Sequence, residues 1–238
     1  MNKCEAIVLF SGGQDSTTCL GWSLEKFESV RTLGFRYGQR HSIELDCRQK
    51  ILDTIKVHYP RWKEKLKEDI VIDLDFIPSL GANALTEESA IKMNSRGLPT
   101  TFVPGRNIFF LSVGGALAYR QNIVNIVGGM CETDFSGYPD CRDETIKSLE
   151  KTLTLGMNWQ LQIHTPLMWL DKGQIWHLAR TLGGDKFVDL IVEQTHTCYR
   201  GKREKLHEWG YGCSDCPACE LRSVGYREFK KQKNRESK

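Results

Sequence analysis

Long hydrophobic runs are missing from this sequence. Of its 238 residues, 40% are hydrophobic and 26% are charged, which is the usage of an ordinary globular protein. Every apolar run is far shorter than the roughly 18 residues that a membrane-spanning helix requires. The first residues also lack a signal-peptide pattern, because the charged Lys3 and Glu5 lead straight into an apolar run. We therefore expect a cytoplasmic protein that makes no contact with a membrane.

The body of the chain has no excess of positive charge. The formal net charge is +3, but from Tyr226 on six Lys and Arg residues face two acids, which leaves 27 basic and 28 acidic residues elsewhere. Proteins that grip long nucleic acids usually present a basic surface, so we expect no nucleic-acid partner. The basic residues 226–238 are predicted to form a disordered tail.

A glycine-rich turn near the N-terminus lacks the lysine of a Walker loop. An apolar strand pattern over residues 6–10 precedes the segment Ser11 to Ser16, in which two glycines are adjacent, and a helical pattern follows. Such glycines let the backbone approach a phosphate, and the first turn of the helix offers unpaired N–H groups. Asp15 beside a phosphate implies a magnesium ion between them. The alternative is an ordinary turn in which Asp15 or Ser16 caps the helix.

The nine cysteines show no disulfide framework. Five are scattered, whereas Cys213, Cys216 and Cys219 form a Cys-x-x-Cys-x-x-Cys run and Cys198 lies fifteen residues upstream. Four thiolates suit a tetrahedral zinc ion and leave no open position for a catalytic water, so the predicted site is structural. Pro217 prevents a continuous helix through this knuckle. An iron–sulfur cluster is the competing interpretation.

Apolar runs alternate with helical periodicity along most of the chain. Such alternation predicts an α/β fold, with a Rossmann-like doubly wound parallel sheet and a C-terminal zinc-binding segment. The predicted strands cover residues 6–10, 30–35, 70–74, 123–127 and 161–164, and the predicted helices include residues 107–119, 144–155 and 171–181. Ligands of such sheets lie beyond the carboxyl ends of the strands.

Taken together, the motifs resemble a known family. The Ser11-to-Ser16 turn resembles the pyrophosphate loop of ATP pyrophosphatases, which have an adenine nucleotide alpha-hydrolase-like fold. In order along the chain, that turn, residues 37–41, 102–107, 132–142 and 165–167, and the cysteine quartet resemble the 7-cyano-7-deazaguanine synthase family. The resemblance implies an ATP-dependent ligase that makes a nitrile from 7-carboxy-7-deazaguanine and ammonia, through an adenylated carboxylate and an amide, for queuosine biosynthesis. It also implies a homodimer.

The resemblance implies a division of the chain into a catalytic ATP-binding domain over 1–190, a zinc-binding segment over 191–225 packed on it, and the tail over 226–238. No room remains for a glutaminase domain, so ammonia is expected from solution or from a partner. Residues 79–98 are expected to be a disordered insert.

Site residues are assigned on the same resemblance and on residue type. ATP binding is assigned to Phe10, Ser11, Gly12, Gly13, Gln14, Asp15, Ser16, Thr17, Thr18, Cys19 and Leu20. Catalysis is assigned to Asp15, Arg106, Glu132, Arg142 and Lys172, where the three cations neutralise the α-phosphate and the substrate carboxylate and Glu132 assists proton transfer from ammonia. Substrate binding is assigned to Tyr37, Gln39, Arg40, Asp134, Phe135, Tyr138 and Asp140, in which Asp134 or Asp140 pairs with the ring edge and Phe135 or Tyr138 with its face.

Three other functions are compatible with parts of the sequence. A tRNA-modifying pyrophosphatase relative would share the loop, and an ammonia-dependent synthetase could act on another carboxylate. A zinc-knuckle nucleic-acid-binding protein would explain the cysteines and the basic tail, but it would leave the phosphate turn unexplained.

Overall fold

A five-stranded parallel sheet forms the centre of the molecule in the computed structural model, which describes residues 2–39, 43–80, 95, 97–133 and 137–236. The strands are β1 (Asn2–Leu9), β2 (Ser29–Arg36), β3 (Leu66–Asp73), β4 (Ile123–Val127) and β5 (Gln162–His164). The helices are α1 (Gln14–Lys26), α2 (Ile43–His58), α3 (Pro60–Lys65), α4 (Arg106–Arg120), α5 (Asp143–Met157), α6 (Lys172–Gln194) and α7 (Pro217–Glu236). A small antiparallel hairpin, β6 (Leu206–His207) and β7 (Gly210–Tyr211), lies between α6 and α7.

The strand order is β3-β2-β1-β4-β5, so the chain winds outward from β1 in both directions. Val8 of β1 pairs with Thr32 on one side and with Val127 on the other. This reversal of strand order between β1 and β4 opens a crevice at their carboxyl ends, where doubly wound proteins bind ligands. The predicted Rossmann-like α/β fold is confirmed.

Two hydrophobic cores cover the two faces of the sheet. Alternate residues of β1 point to opposite sides, so that Ala6 and Val8 pack with α1, α2, α6 and α7, whereas Ile7 and Leu9 pack with α4 and α5. All five residues of β4 are buried, as expected for a central parallel strand. None of the helices in the described ranges is long and apolar enough to cross a membrane.

The basic C-terminal segment is helical, which corrects the prediction of a disordered tail. Residues up to Glu236 belong to α7, and Phe229 is 1% exposed because it packs on Trp176 of α6. Helix α6 also runs well beyond its predicted end at residue 181, through a break at Gly184 where φ is 71°. Most of the predicted insert over 79–98 lies outside the described residues.

Candidate active site

A cavity of about 850 Å³ opens at the carboxyl ends of the central strands. Its apolar floor is formed by Leu9 and Phe10 at the end of β1 and by Leu33 in β2, and Gly129 and Met130 after β4 close one side. The glycine-rich turn, the N-termini of α2, α4 and α6, and the start of α7 supply the walls. The cavity therefore lies at the crevice that the sheet topology predicts.

The turn after β1 presents its backbone to this cavity. Gly12 has φ 90°, and the first intrahelical bond of α1 runs from Thr17 N–H to Gly13 O, so the N–H groups before Thr17 have no carbonyl partner within the helix. The Ser16 hydroxyl accepts weak hydrogen bonds of 3.2 Å from the N–H groups of Ser11 and Gly12. A phosphate oxygen offers a charged acceptor for these donors at the positive end of the helix dipole.

Gly12 leaves no room for a side chain. A Cβ at this position would lie 2.5 Å from the backbone oxygen of Glu44, and the positive φ adds strain of about 1–3 kcal/mol for other residues. We expect Gly12→Ala to raise the KM for ATP at least about 10-fold, because the turn must shift by an ångström or more. Gly156→Ala is the matched control, since the new methyl of this helical glycine contacts nothing within 4 Å. Steady-state kinetics on both variants checks the expectation, and an unchanged KM in Gly12→Ala would contradict it.

Lys172 and Asp15 form an ion pair at the edge of the turn, with 2.7 Å between Lys172 Nζ and Asp15 Oδ2. Lys172 is the first residue of α6, whose N-terminus is fixed by a capping box between Asp171 and Gln174. Helix α7 approaches closely here, because a Cβ at Gly225 would overlap the Lys172 backbone. The other oxygen of Asp15, Oδ1, is buried and has no hydrogen-bond partner among the described residues, which fits a carboxylate that can bind a divalent cation.

Arg106 begins α4 and lines the opposite wall. Burial lowers its pKa, but the nearby Tyr37, Tyr138 and Tyr199 hydroxyls outweigh burial, and the pKa is raised overall. The guanidinium therefore stays charged, and its buried Nε lacks a hydrogen-bond partner within the described ranges. An anionic group in the cavity would satisfy it.

Several predicted site residues serve the fold and do not line the cavity. Thr17 and Thr18 hydrogen-bond to carbonyls of the preceding turn, at 2.8 and 3.0 Å, and Cys19 and Leu20 are fully buried in the core. Of the residues predicted to bind ATP, those that line the cavity are Phe10, Ser11, Gly13, Gln14, Asp15 and Ser16.

Three predicted polar residues of the segment after β4 lie at the starts of helices. Glu132 accepts a hydrogen bond of 2.9 Å from the N–H of Asp143 in the first turn of α5, and Arg142 is an exposed residue at the start of that helix. Asp140 is 4% exposed and accepts a hydrogen bond of 2.9 Å from the N–H of Asn107 in the first turn of α4. None of these three side chains is among those that line the cavity in the described part of the chain, so the roles predicted for them there are not supported.

The predicted substrate residues divide into two groups. Tyr37, Gln39 and Tyr138 line the cavity, with the Gln39 amide folded back onto Tyr37 N–H at 2.8 Å. The Tyr138 hydroxyl lies 2.6 Å from Thr101 Oγ1. The other predicted residues, Arg40, Asp134 and Phe135, fall outside the described residues.

Glu44 lines the cavity and was not predicted from the sequence. It lies in the first turn of α2, three residues beyond the loop motif over 37–41 that follows β2. Burial raises the pKa of its carboxyl to about 7 despite the opposing effect of Arg106. An acid that follows a polar loop at a strand end is the signal that could have identified it.

The four predicted metal ligands come together as expected. The Sγ atoms of Cys198, Cys213, Cys216 and Cys219 all lie within 4.8 Å of one another, and Cys213 and Cys219 are 3.9 Å apart. A tetrahedron of thiolates at about 2.3 Å from an ion has edges of about 3.8 Å, so the cluster could bind a metal ion. Burial raises the pKa of Cys213 to about 12, and such crowded thiols need a cation to ionise together.

The cysteine segment is joined directly to the phosphate turn. His196 N–H donates to Gly12 O at 3.2 Å, and residues 196–199, which include the ligand Cys198, line the cavity. The buried Arg222 of α7 donates to Trp209 O, Thr197 Oγ1 and Ile191 O, at 2.7 to 2.9 Å, and so ties α7 to α6 and to this segment. The cysteine segment thus forms one wall of the cavity.

The fold and this cavity define a doubly wound α/β protein with a glycine-rich turn at its crevice and a C-terminal cysteine cluster. A profile of the family described as "Queuosine biosynthesis protein QueC" matches residues 5–230, and the chain belongs to this family. The resemblance drawn from the motifs is confirmed.

Curated relatives match along nearly their whole length. The "7-cyano-7-deazaguanine synthase" of Rhodopseudomonas palustris is 56% identical over 96% of this chain and 95% of its own. The protein of the same name from Paracidovorax citrulli is 53% identical over 98% of this chain and 99% of its own. Among solved structures, a 4-thiouridine synthetase–RNA complex with bound ATP is 15% identical with a TM-score of 0.51, and it covers 95% of this chain and 53% of that one. This structural similarity shows the shared fold.

Proposed function

We propose that the protein is an enzyme that converts 7-carboxy-7-deazaguanine, ammonia and ATP into 7-cyano-7-deazaguanine for queuosine biosynthesis. The observation that carries the proposal is the similarity of 53–56% over nearly the full chain to curated synthases of that name. The cavity supports it, because the glycine turn, Lys172 and Arg106 surround one space at the crevice of the sheet.

The chemistry makes demands that these residues can meet. A carboxylate is a poor electrophile, so its oxygen attacks the α-phosphate of ATP and pyrophosphate leaves. Ammonia then attacks the acyl carbon, AMP departs with the oxygen, and an amide forms. The amide oxygen is activated in turn by a second ATP, again with release of pyrophosphate, and loss of AMP from it gives the nitrile. The turn amides would hold the pyrophosphate, while Lys172 and Arg106 would neutralise charge on the α-phosphate and on the substrate carboxylate.

Two metal ions belong to the proposal. Magnesium would be held by Asp15, whose unpaired oxygen fits a cation ligand, and would neutralise the phosphates of ATP. One structural zinc ion per chain would be held by the four clustered cysteines. We further propose a cytoplasmic homodimer that takes ammonia from solution or from a partner and binds no nucleic acid.

Mass spectrometry of the purified protein with ATP, magnesium, ammonium and 7-carboxy-7-deazaguanine tests the proposal. The expected result is the nitrile together with AMP and pyrophosphate. AMP without any change in the base would overturn the substrate assignment, and ADP in place of AMP would overturn the α-phosphate chemistry. Amide or nitrile formation from another carboxylate, without 7-carboxy-7-deazaguanine, would favour an ammonia-dependent synthetase that acts on a different substrate.

A further inference from the structure

Two acids, Asp134 and Asp140, are predicted to pair with the ring edge of the substrate. A guanine-type ring presents two adjacent donors, the ring N–H and the exocyclic amine, which match the two oxygens of one carboxylate. Asp134 lies outside the described residues, and Asp140 caps α4 and does not line the cavity. Among the described residues, the acid that pairs with the ring edge is therefore to be sought in the cavity lining.

Among the residues that the structure describes, three acids line the cavity: Asp15, Glu44 and Glu220. Asp15 is paired with Lys172, and Glu220 is exposed on α7. Glu44 receives no hydrogen bond from any described residue, and its carboxyl is buried enough for its pKa to be raised. Among the cavity acids of the described chain, Glu44 is thus the one whose acceptors are available to a ligand.

An aromatic wall lies beside Glu44. The rings of Phe35 and Phe110 stack with centroids 4.4 Å apart, and the Tyr37 ring lies 5.4 Å from Phe110. The Arg106 guanidinium carbon is 6.0 Å from the Tyr37 and Phe110 centroids. A flat heterocycle can pack its face against this aromatic cluster, and the Arg106 guanidinium lies where it can pair with an anionic substituent on the heterocycle.

We propose that Glu44 reads the ring edge of the substrate, accepting hydrogen bonds from the ring N–H and the exocyclic amine, while the adjacent aromatic wall contacts the ring face. This inference rests on the proposed function and names a specificity-determining residue within it. The Glu44 backbone packs closely on the glycine-rich turn, since a Cβ at Gly12 would lie 2.5 Å from the Glu44 carbonyl oxygen.

The test compares two substrates in three proteins. The substrates are 7-carboxy-7-deazaguanine and its analogue that lacks the exocyclic amine; the proteins are the wild type, Glu44→Gln and Asp46→Asn. Asp46 is an exposed acid on the same turn of α2, so its variant controls for the loss of one charge. The ratio of kcat/KM for the two substrates is independent of how much of each preparation is folded, so a partly unfolded variant still gives a clear result.

We expect the wild type and Asp46→Asn to favour the amine-bearing substrate by at least about 10²-fold, because a site built to pair a donor rejects an analogue that lacks it. In Glu44→Gln the side-chain amide faces a ring donor with its own N–H group, and the ratio should fall below about 10. An unchanged ratio overturns the inference. The inference is also overturned if Glu44→Gln changes only the KM for ATP, which would mean that Glu44 contacts the nucleotide. It is overturned as well if the variant changes only the dependence on ammonium, which would mean that Glu44 accepts a proton from ammonia.

The pH dependence gives a second readout. The charged or titratable groups that face Glu44 are Arg106 from α4, Tyr37 from the loop after β2 and Cys47 from α2 itself. Since the pKa of Glu44 is raised to about 7, the accepting carboxylate is lost as the pH falls through 7. The KM for 7-carboxy-7-deazaguanine should therefore rise below pH 7 in the wild type but not in Glu44→Gln. If the wild type makes no nitrile at any pH, the proposed function fails and the inference with it; if it makes nitrile without this difference, the inference alone fails.

Discussion

Replacing Cys219 with serine is expected to abolish metal binding and ATP binding together. Cys219 is fully buried in the cluster, and structural thiolate sites contribute several kcal/mol or more to folding. We expect the melting temperature to fall by about 10 °C or more, at roughly 2–4 °C per kcal/mol for a chain of this size. ATP binding is lost as well because residues 196–199 form one wall of the cavity and His196 holds Gly12.

Elemental analysis, thermal melting and calorimetric titration with ATP measure the three effects. Cys4→Ser is the control, since Cys4 is exposed at the start of β1 and lies outside the cluster. The control should retain one metal ion per chain and ATP affinity like that of the wild type. A Cys219→Ser protein that lost its metal but bound ATP normally would show that the segment and the turn are energetically independent.

Replacing Lys172 with methionine is expected to lower kcat/KM for ATP by about 10²–10³, the usual effect of removing one donor that stabilises developing charge. The ammonium is 14% exposed and pairs with Asp15 at the edge of the phosphate turn. Without it the Asp15 carboxylate loses one of the cations that offset its charge, so stronger repulsion of the ATP phosphates adds to the lost attraction.

Steady-state kinetics with ATP as the varied substrate tests this expectation. Lys147→Met is the matched control, because Lys147 is a 74% exposed lysine that pairs with Asp143 on the surface of α5. Surface pairs of this kind contribute little, so its kinetics should match those of the wild type. Lys172→Arg should retain part of the activity by keeping the charge. If Lys172→Met stayed within about threefold of the wild type, the role in phosphate neutralisation would be wrong.

The parts of the fold that the sequence predicts are those with a strong local pattern. Strand β4 is buried on both faces and therefore reads as an apolar run that only Asn125 interrupts, and the glycine turn after β1 is recognisable from its composition. The C-terminal helix has no such pattern, because its apolar contacts come from few residues among many Lys and Arg. It is held by tertiary packing instead, with the Tyr226 ring 5.0 Å from Trp176.

The site residues also divide into those that a local sequence pattern predicts and those that depend on tertiary structure. Residues on the backbone of a turn, such as Ser11 and Gly13, could be assigned because a turn at a strand end has one side open to ligand. Glu132 and Arg142 also follow a strand end, but the directions of their side chains depend on where α5 begins. The Glu132 carboxylate accepts a hydrogen bond from the Asp143 N–H in the first turn of that helix. Sequence proximity to a strand end gives position along the chain and not the direction of a side chain.

The hydrogen bond from His196 N–H to Gly12 O joins the glycine-rich turn to a segment far later in the chain. During synthesis the strand and turn of the N-terminus leave the ribosome long before the residues that close the cavity over them. The nascent chain can form its central strands early, yet the cavity is incomplete until α7 has emerged and the four clustered cysteines of the chain have come together. Activity in this protein is therefore a property of the finished chain, and C-terminal truncations should remove catalysis even when they spare every residue of the phosphate turn.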